Sequence, residues 1–124
     1  MSGEDYSHVQ EFPGIRYENG YAVLYLLDNA VSEIGRYGPR LVSEREKQPV
    51  IDFSLVDFVN SKTAAAVFDL WKEIISSPNP RTLTLRGLKE EKLKAFVITG
   101  FIEPDGGSIL ENLVIEKAVD LKRT

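Results

Sequence analysis

Ser61 stands beside Asn60 where a short apolar run, Val50 to Phe53, gives way to a helical pattern. A hydroxyl at such a point can cap the helix by accepting from its free N–H groups. It can also carry a phosphoryl group, whose charge would sit over those N–H groups and the positive end of the helix dipole. Lys62 next door could offset part of that charge. Asp52 and Asp57 lie in the same stretch, and a carboxylate pair can do acid–base work. Each also has a plainer reading. Asp52 ends an apolar strand and can bond backbone there, and Asp57 sits in a turn, where Asp is favoured. Arg86-Gly87 follows another apolar strand. Asp28, Asn29, Asn60, Ser61, Lys62, Thr63 and Arg86 thus all fall just past a strand. That is the edge where α/β folds usually place ligands and partners. Phe68 and Trp71 could anchor a partner, but their spacing with Val67 and Ile75 reads as core.

Other chemistries are closed off by composition. The 124 residues include no cysteine, so disulfides and thiolate metal sites are excluded, and a reducing cytoplasmic setting fits. The single histidine, His8, lies in the polar stretch from Met1 to Phe12, which does not read as a signal peptide. No paired acidic spacing suggests a metal, and no glycine-rich phosphate loop is present, so no cofactor is implied. A net charge of −4 argues against nucleic acid as the main partner. No apolar run is long enough to cross a bilayer.

The elements that would position these residues follow from patterning. Residues 1–13 read as a flexible lead, and 14–124 as one domain. Ile15 to Glu18 and Tyr21 to Leu27 form strands joined at Asn19-Gly20, a pair that accepts positive φ and so suits a tight hairpin. Pro39 suits the first turn of a helix over 39–47, with an irregular or helical start before it. Val50 to Phe53 and Thr82 to Leu85 are buried strands. Ala64, Val67, Phe68, Trp71, Ile74 and Ile75 define a helix over 61–76, started by Asn60 or Ser61 and ended by Pro78. A further helix covers 89–99, with Gly100 just past its end. Ser108-Ile109-Leu110-Glu111 reads as a capping box that opens a last helix over 108–121. Alternation of this kind predicts an α/β fold: a mixed sheet with parallel core strands and helices mainly on one face.

Residues 50–61 resemble the central segment of STAS domains (sulphate transporter and anti-sigma factor antagonist). There a strand ends in Asp-Leu-Ser, an apolar turn follows, and Asp-Ser opens a helix. Asp52-Phe53-Ser54, then Val56, Phe58 and Val59, then Asn60-Ser61 match in order, and Thr99-Gly100-Phe101 resembles the family's later Thr-Gly-Leu. The resemblance implies a binding protein, not an enzyme. Its partners would be an anti-sigma factor of the serine kinase type and a phosphatase, with Ser61 the phosphoacceptor and a homodimer compatible with the fold. The chain departs from the pattern at Asn60, where the family has Asp, and at Lys62-Thr63, where many antagonists have Ser-Gly. Loss of the acid also fits a phosphorylation-independent adaptor of the same fold, such as a subunit beside a transporter ATPase.

Overall fold

The computed structural model describes residues 14–27, 29–100 and 110–117. Among these residues five strands form one sheet whose spatial order follows the sequence: β1 (Gly14–Glu18), β2 (Tyr21–Tyr25), β3 (Gln48–Asp52), β4 (Leu83–Leu88) and β5 (Leu113–Lys117). β1 pairs antiparallel with β2, and the other three pairings are parallel. The hairpin turn is the expected one, with Asn19 at φ 44° and Gly20 at φ 86°.

Among the described residues three helices lie in the crossovers: α1 (Ala30–Ser43), α2 (Ser61–Ile75) and α3 (Glu90–Ile98). Their buried faces share one apolar cluster with alternate strand residues, Leu24, Ile51, Leu83 and Leu85 among them, and with Phe53 just past β3. Phe53 meets Phe96 of α3 edge to face at 5.8 Å. The intervening strand residues, Val23, Tyr25, Val50, Asp52, Thr84 and Arg86, point to the opposite face of the sheet. The expected α/β fold, with helices against one face, is therefore present.

Two elements differ from expectation. α1 begins at Ala30, not near 39, so Pro39 lies inside it rather than in its first turn. Asn29 caps that start, its side chain accepting from the Ser32 N–H at 3.2 Å. Glu33 is buried and accepts from the Leu27 N–H at 2.8 Å, which ties the helix to the end of the preceding strand. Pro39 is tolerated because it sits on the exposed side. Gly38 beside it lets α2 approach: a Cβ there would come within 3.2 Å of Leu70. The C-terminal end is held by Arg81, which is buried and carries no ion pair among the described residues. Its Nη1 donates to the carbonyls of Leu41, Glu44 and Lys47, and its Nη2 to that of Val42. Burial, and then the nearby charge of Arg45, holds this guanidinium below its usual pKa.

The second difference is β5. The stretch expected as a helix over 108–121 is, where it is described, a turn through Asn112 followed by a strand. Asn112 adopts φ 57°, which breaks a helix there, and Leu113, Val114 and Ile115 pair with Leu83, Thr84 and Leu85. Ser108 and Ile109 of the expected capping box lie outside the described residues, as does Phe101. The Trp71 indole donates to the Glu111 carbonyl at 2.8 Å, and the Leu83 N–H donates to the Asn112 carbonyl at 2.9 Å, so the turn into β5 is fixed from two sides. Trp71 itself is core, 9% exposed, as its spacing indicates.

Candidate functional site

The loop from β3 to α2 runs between two anchors. At its start, Asp52 is 5% exposed. One carboxylate oxygen, Oδ1, accepts from the Ser54 N–H at 2.8 Å and the Ser54 hydroxyl at 2.5 Å. The other, Oδ2, accepts from Arg86 Nε at 2.7 Å. The Phe53 N–H donates to the Arg86 carbonyl at 2.8 Å, and Lys92 Nζ donates to the Phe53 carbonyl at 2.9 Å. Burial holds Lys92 below its usual pKa, helped by the charge of Lys89 and opposed by Asp57 and Asp52. With both oxygens committed, Asp52 is built as a structural anion rather than as a general base.

At the loop's other end, Asn60 caps α2. Its side-chain oxygen accepts from the Thr63 N–H at 3.0 Å and the Thr63 hydroxyl at 3.1 Å. Thr63 is therefore turned inward, 3% exposed. Of the two candidate caps, Asn60 holds the position, and Ser61 is the first helical residue. Ser61 is exposed, and its hydroxyl has no hydrogen-bond partner among the described residues. Lys62 beside it is also exposed.

Between the anchors, Val56 and Val59 are buried while Leu55 and Phe58 face outward, 58% and 71% exposed.

The remaining edge residues divide. Asn29 serves α1 as its cap, and Asp28 lies outside the described residues. Arg86 lies inside β4 rather than past its end, and it does not join Ser61: its side chain is on the face of the sheet opposite α1, α2 and α3. There its Nη2 donates to the Tyr25 hydroxyl at 2.7 Å and lies 3.6 Å from Glu18 Oε1. Tyr25 in turn donates to Glu18 Oε2 at 2.5 Å. Burial works against the Arg86 charge, but the hydrogen bond and charge of Asp52 outweigh it and hold the guanidinium above its usual pKa. Burial and the bond to Glu18 push the Tyr25 phenol upward. Sequence reading passed over this network. Tyr25, Asp52 and Arg86 are cross-strand neighbours in one row, and only the register reveals it. Among the described residues no cluster of His, Cys, Asp or Glu could hold a metal, and no helix is long and apolar enough to cross a membrane.

A five-stranded mixed sheet with α1, α2 and α3 on one face, and the loop from Asp52 to Ser61 at its parallel edge, defines a STAS-like fold. Among solved structures the chain is similar to a serine-to-glutamate variant of RsbS from Moorella thermoacetica. The TM-score is 0.59 over 89% of this chain and 88% of that one, at 16% identity. No protein-family model and no curated protein sequence matches the chain.

Proposed function

We propose that this chain is a partner-switching regulator of the anti-sigma factor antagonist kind, acting by binding and not by catalysis. Its partner is a serine kinase-type anti-sigma factor in the cytoplasm, a phosphatase reverses the modification, and Ser61 is the phosphoacceptor. The observation that carries this reading is the state of Ser61: exposed, at the first position of α2, with a free hydroxyl, because Asn60 has taken over the cap. A kinase can reach it without unfolding the helix. Leu55 and Phe58 supply apolar contact area beside it. A phosphoryl group there adds nearly two negative charges. The N–H groups of α2 and Lys62 tolerate them in the free protein, but a partner seated on Leu55 and Phe58 must desolvate them. The similarity to RsbS, a STAS-domain anti-sigma factor antagonist solved in a serine-to-glutamate form, supports the same reading.

The test is intact mass after incubation with cell lysate and ATP, for wild type and Ser61→Ala. A gain of one phosphate by wild type alone is the expected result. No gain by wild type, or an equal gain by Ser61→Ala, overturns Ser61 as acceptor. One observation favours the alternative, a phosphorylation-independent adaptor: Asn60 caps α2 without bringing an acidic charge next to Ser61. On that reading wild type and Ser61→Asp bind the same partner equally.

A further inference from the structure

We infer that Arg86, acting through Asp52, is the positioning residue for the loop that presents Ser61. The inference rests on the function proposed for that loop, but its geometry can be tested alone. Asp52 is the point of transfer. One oxygen holds the backbone N–H and hydroxyl of Ser54, the first loop residue past Phe53, and the other is held by Arg86 on the neighbouring strand. Arg86 is itself fixed at its far end by the Tyr25 hydroxyl, which is fixed by Glu18. A chain of polar contacts therefore crosses β1, β2, β3 and β4 on the face opposite α1, α2 and α3 and ends on the loop that emerges at the sheet's edge.

The backbone is cut to fit this arrangement. Gly87 lies opposite Ser54 with φ 78°, and a Cβ there would fall 2.7 Å from the Ser54 nitrogen. Only glycine allows β4 to lie this close beneath the loop. The far end of the loop is set separately, by the Asn60 cap and by the buried side chains of Val56 and Val59. With both ends fixed, Leu55 and Phe58 have little choice but to project outward. An ion pair with one partner buried and the other partly exposed adds little net stability, but it can specify geometry. That is the part Arg86 and Asp52 play here.

The experiment is amide hydrogen exchange on the full chain for wild type, Asp52→Asn, Arg86→Met, Arg86→Lys and Tyr25→Phe. It is read alongside phosphate uptake from lysate and ATP. Asp52→Asn and Arg86→Met should quicken exchange at Ser54 and Val56 about tenfold or more while Ile51 and Val67 change little, because the opening is local. Arg86→Lys, which keeps one donor for Asp52, should restore part of the protection. Tyr25→Phe should show a smaller effect of the same kind. Phosphate uptake should fall in the order of loop protection, with melting temperature a poor guide to it. Unchanged exchange at Ser54 in Asp52→Asn, or equal quickening of loop and strand amides in all four variants, overturns the inference. If wild type takes up no phosphate yet the exchange pattern appears, the function proposed for Ser61 fails and the positioning role stands.

Discussion

Removing the Asn60 side chain should destabilise the protein far more than removing the Ser61 hydroxyl, although the two residues are adjacent. In Asn60→Ala the Thr63 N–H loses its acceptor, which costs about 1 kcal/mol for a typical cap. The Thr63 hydroxyl, buried with its residue, loses the same acceptor, adding roughly another 1 kcal/mol. For a chain of 124 residues a loss of about 2 kcal/mol lowers the melting temperature by roughly 8 °C. Asn60→Ala combined with Thr63→Val removes the stranded hydroxyl and should recover about half of that, a coupling a double-mutant cycle reads directly. Ser61→Ala breaks no bond and puts a better helix former at an exposed position, so it should stay within about 0.5 kcal/mol of wild type. Asn60→Asp keeps the acceptor and adds a negative charge at the helix N-terminus, for a gain of about 0.3–1 kcal/mol. The assay is thermal and urea unfolding of these proteins and of Thr63→Val, which closes the cycle, six in all, followed by circular dichroism. If Ser61→Ala loses as much as Asn60→Ala, Ser61 is the cap in solution. The argument that its hydroxyl is spare for modification then collapses.

Arg81→Met should cost about 3 kcal/mol or more in urea unfolding, because four carbonyls at the end of α1 lose a shared charged donor at once. A cost under about 1 kcal/mol would mean water replaces the guanidinium freely. Trp71→Phe should cost about 1 kcal/mol from the lost indole bond to Glu111, and Trp71→Ala on the order of 3–5 kcal/mol from the cavity. Tryptophan fluorescence unfolding of the parent and circular dichroism of both variants check this. Near-equal melting temperatures for all three would place Trp71 at a contact surface rather than in the core.

The parts of the fold legible in the sequence were those with a single dominant local signal. Tyr21 to Tyr25 is an unbroken apolar β-prone run, Val50-Ile51 is a short β-branched one, and α2 carries its stripe from Ala64 to Ile74. Where two signals competed, the local one misled. Pro39 reads as a helix start, but the Asn29 cap and the Glu33 contact to Leu27 start α1 nine residues earlier. The segment Leu113-Val114-Ile115 follows a capping-box pattern, yet its β-branched residues are taken up by β4, whose open edge offers a full row of backbone partners. At the site, the position of Ser61 was readable from chain order. The assignment of the cap to Asn60, and the Arg86–Asp52 pair, were not. The first depends on one side-chain rotamer, and the second on strand register, which relates residues 34 apart in sequence.

The strand order has a kinetic consequence. Among the described residues every strand pairs with its neighbours in the chain, so spatial order and order of emergence from the ribosome coincide. No strand must leave a gap for a later one to insert, and each closure spans one crossover, which keeps the entropic cost of successive pairings small. The sheet can grow at one edge as the chain lengthens. The unpaired edge exposed at each stage is the one the next strand covers, and little apolar edge waits in the open, where unfinished α/β chains are prone to aggregate.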